Sequence, residues 1–144
     1  MTTDVAFHFG APDKLAYVCR LLRKATASGV RVMVVGAGET LQQLDTALWA
    51  LAATDFVTHT YAEAPGTLAA RSSVVLSGDA SLDCSRLPVL VNLLEQAPLG
   101  FERFARVIEV VSTDEADRNL ARERWKHYMR QGIAITRHDL ALKA

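Results

Sequence analysis

Four histidines, two cysteines and one glycine-rich turn are the groups through which this 144-residue chain could do chemistry. His8, His59, His127 and His138 stand in no HxxxH, HxH or Cys/His spacing, which argues against metal ligation. Cys19 lies in an apolar helical pattern with Leu15, Val18 and Leu22, as a buried reduced thiol does. Cys84 sits in a polar loop without a CxxC partner. Gly36-x-Gly38 follows a strand and opens a helix, where a dinucleotide fingerprint would be placed. Leu41 replaces its third glycine, and Glu39-Thr40 does not supply the Lys-Ser/Thr of a phosphate loop. A tight turn is the favoured reading, with a Rossmann-like nucleotide-binding enzyme using Gly36–Thr40 as the alternative. His8 falls near the C-terminal edge of the first strand, where α/β sites cluster, but a single histidine there is more often structural. There is no GxSxG elbow and no carboxylate pair set up for acid–base work. No catalytic residue, metal or cofactor is expected.

Two signals of a binding kind remain. In the last helical pattern, Ala121, Trp125 and Tyr128 form an inward stripe at 100° per residue, bordered by Arg118, Arg122, Lys126 and Met129. Cations beside an aromatic wall suit a short peptide carrying an apolar side chain and a carboxylate. They equally suit a snorkelling amphipathic face, which spacing alone favours. The second signal is Trp49, one residue off the core stripe of its helix, with Phe56 nearby as an exposed aromatic patch. Spacing slightly favours a simple wrap of helix onto sheet.

The elements that would position these residues alternate along the chain. Asp4 to Phe9 reads as a strand and Lys14 to Ala27 as a helix stopped by Ser28-Gly29. Val30 to Val35 is a strand covered on both faces, and Glu39 to Leu51 a second helix. Phe56 to Tyr61 reads as a short strand or an extended edge, and further strands are expected at Ser73 to Ser77, Pro88 to Leu93 and Arg106 to Val111, with Phe101 and Phe104 anchoring a helical turn. Ser112 with Glu115 three residues later reads as a capping box for the last helix, and Gly132 as its stop. This order predicts a single α/β domain over residues 1–144, a three-layer α/β/α fold with a mainly parallel, Rossmann-like sheet. Composition agrees: half the residues are hydrophobic, and 16 cations balance 16 anions. No global field steers the chain to nucleic acid, so contact with single-stranded DNA is expected to be mainly indirect. The start lacks a signal-peptide pattern and no window approaches membrane-spanning length, so a cytoplasmic protein without a membrane partner is expected.

Leu44-Asp45-x-x-Leu48-Trp49-Ala50, Phe56-Val57-x-His59, Pro88-Val89-Leu90 and Arg106 to Val111 form an ordered series. It ends in Ala121-Arg122-Glu123-Arg124-Trp125-Lys126-x-Tyr128-x-x-x-Gly132. Together these residues resemble the chi subunit of bacterial DNA polymerase III holoenzyme over nearly the whole chain. The resemblance implies a replication accessory subunit without polymerase chemistry of its own, any such activity belonging to the holoenzyme. It implies pairing with the psi subunit of the clamp loader and binding of the acidic, hydrophobic C-terminal tail of single-stranded DNA-binding protein. Tail-binding positions carry over to Arg122, Trp125 and Lys126, with Val111, Gly132 and Met129 as neighbours. Trp125 stands where the family also has tyrosine, and Met129 where it can have a base, a role that Arg130 is placed to take. Trp49 and Phe56 resemble the patch used for psi or for a helicase that competes with it.

Overall fold

Both faces of the strand Val32–Val35 are covered, which is why its four residues are all apolar and all buried. Val32 and Val34 point into one core with Val18, Leu22, Leu41, Leu44 and Leu48. Met33 and Val35 point into the other, with Phe7, Leu90, Val107, Val111 and Tyr128. The computed structural model describes residues 3–50, 59–61, 74–78 and 87–140.

In chain order the elements are β1 (Asp4–Ala11), α1 (Lys14–Ala27), β2 (Val32–Val35), α2 (Gly38–Ala50), β3 (His59–Tyr61) and β4 (Val74–Ser77). They continue with β5 (Val89–Asn92), a 3-10 turn (Phe101–Arg103), β6 (Arg106–Ser112), α3 (Glu115–Arg130) and β7 (Ala134–Asp139). The described strands form one sheet in the order β3-β4-β2-β5-β6-β1-β7, and every pairing is parallel. Helices α1 and α2 cover one face and α3 the other, giving the three-layer α/β/α architecture that the sequence pattern predicts. Among the described residues no helix is long and apolar enough to cross a membrane.

Two details differ from the pattern. The strand β7 has no apolar run to announce it, because AITRHD lies on the sheet edge and none of its residues is fully buried. It pairs with β1 from Asp4 opposite Ala134 to Phe9 opposite Asp139. The cap of α3 is Asp114 rather than Ser112: its carboxylate accepts from the Asp117 N–H at 3.0 Å. Strand β6 runs through Ser112, so that residue is still extended when the helix is about to begin. The first helix is capped similarly by Asp13, which accepts from Ala16 N–H.

Candidate functional site

The last helix is fixed at both ends by side-chain and backbone bonds. At its start, Asp117 reaches back to accept the Ser112 N–H at 2.8 Å and forms an ion pair with Lys14 of α1 at 3.1 Å. Burial alone would raise the Asp117 carboxyl, but Ser112 and Lys14 outweigh it and hold the group below the usual carboxylate range. At its end, the Gly132 N–H donates to Met129 and the Ile133 N–H to Tyr128. That 6→1 and 5→2 pair needs a left-handed residue, and Gly132 supplies it at φ 73°. The turn sends the chain directly into β7.

Between its ends, α3 is held to the sheet by polar as well as apolar contacts. Ala121, Arg124 and Tyr128 are its buried residues, while Trp125 is half-buried. The Arg124 Nε donates to Glu109 Oε1 at 2.8 Å, and its Nη1 donates to the Glu95 carbonyl. Glu109 Oε2 accepts from the Tyr128 hydroxyl at 2.7 Å and from Asn92 Nδ2 at 2.8 Å. Burial pushes the Glu109 carboxyl upward, against the pull of Arg124, Tyr128 and Asn92. Burial, reinforced by Glu109, also raises the Tyr128 phenol, so it stays a donor. These charges serve the fold. The inward stripe read from spacing, Ala121, Trp125 and Tyr128, does not include Arg124, although a glutamate inside RVIEVV signals that a buried partner is required.

The outer edge of α3 is different. An open cleft of about 360 Å³ is lined by Arg118, Ala121, Arg122, Trp125 and Lys126 of α3, Phe9 of β1 and Arg137 of β7. Its apolar floor is aromatic: Trp125 lies 6.2 Å from Phe9 and 5.0 Å from Phe7 between ring centroids. The Arg137 guanidinium carbon sits over the Phe9 ring, 4.8 Å from its centre. Arg122 donates to Asn119 at 2.8 Å, and Lys126 forms an exposed ion pair with Glu123 at 3.6 Å. Among the described residues, four cations and no carboxylate line this cleft.

The structure therefore brings Arg122, Trp125 and Lys126 together in one concavity. Val111 is fully buried in the core that supports Trp125 and Phe9. Met129 is 59% exposed and Gly132 ends the helix, both outside the cleft lining. Arg130 faces a second groove with Glu95, Leu99 and His127. Spacing had placed Arg118 on the helix edge, and it does line the cleft. Strand pairing, not local periodicity, carries Phe9 and Arg137 there, so spacing within one element does not reveal them. Trp49 is 56% exposed on α2, in the layer opposite α3, whereas Phe56 lies outside the described residues.

His8, Cys19 and the Gly36 turn have structural surroundings. His8 Nδ1 bonds the Tyr17 hydroxyl and its ring lies 4.8 Å from that of His138. Cys19 is a buried free thiol, raised by burial. A Cβ on Gly36 would come within 3.2 Å of Leu93 Cβ, so the space there is taken up by helix–sheet packing. Among the described residues no group of three or more His, Cys, Asp or Glu side chains could hold a metal ion.

Residues 1–136 match the family described as DNA polymerase III chi subunit, HolC. The chain is 32% identical over 128 residues to DNA polymerase III subunit chi of Pseudomonas aeruginosa, covering 88% of this chain and 87% of that protein. It is 31% identical over 120 residues to the chi subunit of Escherichia coli, covering 82% and 80%. The C-terminal domain of S. cerevisiae Dbp5, solved bound to Gle1 and IP6, superposes with a TM-score of 0.59 at 15% identity. That match covers 96% of this chain and 90% of the other, and it speaks to the fold alone.

Proposed function

The chain belongs to the DNA polymerase III chi subunit family, and on that premise we propose that it tethers the clamp loader to single-stranded DNA-binding protein. In this reading the cleft on the outer edge of α3 takes the acidic C-terminal tail of that protein. A second surface around Trp49 and Phe56 takes psi, or a helicase that competes with psi. The subunit contributes attachment and no bond-making chemistry.

The observation that carries the reading is the lining of the cleft. Trp125 and Phe9 offer an apolar seat for an aromatic or aliphatic side chain, and Arg118, Arg122, Lys126 and Arg137 surround it with positive charge. An acidic peptide ending in an apolar residue matches both features. Each exposed charge contact contributes modestly, on the order of 1 kcal/mol, so a micromolar affinity is expected for one tail. Several tails on DNA-bound protein would raise the effective affinity by avidity. Trp49 lies in the layer opposite α3, a separation that lets both surfaces be occupied at once.

Titration of a tail peptide into the wild-type chain and into Lys126→Ala and Arg122→Ala tests the site. Weaker binding in both variants, and weaker wild-type binding as salt rises, is expected. Unchanged affinity in both variants would remove the cleft from the proposal.

A further inference from the structure

We propose that the groove on the far side of α3 from the cleft is a second docking site, which takes a basic, extended segment of a partner protein. Lysine or arginine side chains of that segment meet Glu95, Glu102 and Glu123. An apolar side chain packs on Leu99, and a main-chain carbonyl accepts from Arg124 Nη2. The two grooves share no lining residue, so this site stands or falls apart from tail binding.

The groove, of about 710 Å³, runs between α3 and the segment that leads from β5 to the 3-10 turn. At 100° per residue, Glu123, His127 and Arg130 lie about half a turn around α3 from Arg118, Arg122 and Trp125. The charge is reversed as well. Glu95, Glu102 and Glu123 are exposed in the lining. Arg124 is committed to the buried Glu109, which leaves Arg130, with His127 near it, against three carboxylates. These carboxylates are too far apart for an ion site, since among the described residues no group of three or more such side chains could hold a metal ion. A ligand with several separated positive charges fits them, and an extended peptide with basic side chains is one.

Two further features favour a peptide. Leu99 is 84% exposed, although the segment that carries it is firmly held. Arg124 Nη1 donates to the Glu95 carbonyl at 3.1 Å and Asn92 Nδ2 to the Gln96 carbonyl at 3.1 Å. The Leu94 N–H donates to Asn92 Oδ1 at 3.0 Å. Ala97 and Leu120 extend the apolar part of the same lining, giving an outside side chain a prepared seat. The second feature is Arg124 itself, which is 2% exposed and lines the groove. Among the described residues its Nη2 is the one buried side-chain nitrogen or oxygen without a hydrogen-bond partner. A buried donor left open is costly, so an acceptor brought by a ligand is favoured there. A neutral carbonyl suits it better than a carboxylate, because the three surrounding glutamates repel an anion.

The test is an NMR titration of the isotopically labelled full chain with a capped synthetic peptide, Gly-Lys-Leu-Lys-Gly, and its counterpart with glutamate in place of lysine. The lysine peptide is expected to give saturable shifts at Leu99, Glu102 and Glu123 and at the Arg124 Nη–Hη resonances. The glutamate peptide should leave these signals in place. Glu95→Lys combined with Glu102→Lys should weaken the lysine peptide by about tenfold, and Leu99→Ser by about threefold. Arg122→Ala, on the other edge of α3, should leave it unchanged. Absence of saturable shifts, shifts confined to other surfaces, or undiminished affinity in the double variant would overturn the docking site. Peptide binding that leaves Arg124 Nη–Hη exchanging with water alone would overturn the carbonyl contact. Unfolding midpoints matching the wild type would establish that these exposed substitutions leave the fold in place.

Discussion

The two sides of α3 use the same residue types for opposite purposes. On the inner side Arg124 is 2% exposed and commits its guanidinium to Glu109 and the Glu95 carbonyl, beside Tyr128 and Asn92. On the outer side Arg118, Arg122 and Lys126 stay in solvent around Trp125. Two turns of helix therefore carry one cation that the fold consumes and others that a ligand can still use. Burial decides which is which: a desolvated charge must be paired within the protein, whereas a solvated one keeps its capacity for an outside partner.

The strongest way to break this contrast is at the inner side. Arg124→Met leaves Glu109 buried without its cation, and a loss of about 3–5 kcal/mol in urea unfolding is expected. Adding Glu109→Leu should recover part of that loss, because an uncompensated carboxylate is removed. Additive losses in the double variant would contradict the pairing. Trp125→Ala comes next. It removes a half-buried ring from Phe7 and Phe9, and a destabilisation of about 1–3 kcal/mol is expected together with loss of tail-peptide binding. Binding that survives this change would place the ligand elsewhere. Outer-edge substitutions should show the reverse profile, with stability within about 0.5 kcal/mol of wild type and affinity reduced.

The smallest expected effect is at the start of the helix and depends on pH. The folded Asp117 carboxyl lies below the ordinary value near 3.9, so its stabilisation is present above that value and is lost as pH falls through the folded one. Asp117→Asn should therefore be less stable than wild type near neutral pH, by about 1 kcal/mol or less, with the gap closing in acid. A gap that persists unchanged in the acid limb would mean that Lys14 and Ser112 do not act on the charge of Asp117.

The layers and strands were legible because covered strands are apolar throughout and helices repeat every 3.6 residues. Val32–Val35 and Lys14–Ala27 obey those rules, and Arg106–Ser112 departs from them inside the sheet only at the buried Glu109. The pattern failed where a long-range partner overrode it. Arg124 looks like a surface residue until Glu109, fifteen positions away, is placed opposite it. The edge strand β7 looks like loop because a single neighbour, β1, pairs with it. Half of the cleft was readable from α3. The half built by Phe9 and Arg137 exists only once two strands are side by side.

The turn at Gly132 has one more consequence. It joins the helix to β7 within a few residues, so the two walls of the cleft are local in sequence but unequal in anchoring. Helix α3 is held by a buried network, while β7 hangs on a single strand partner at the rim of the sheet. Fraying of that rim would withdraw Arg137 and leave the helical row in place, so amide exchange along β7 should slow when ligand engages both walls. Tail affinity would then serve as a gauge of how firmly the last strand is closed onto the first.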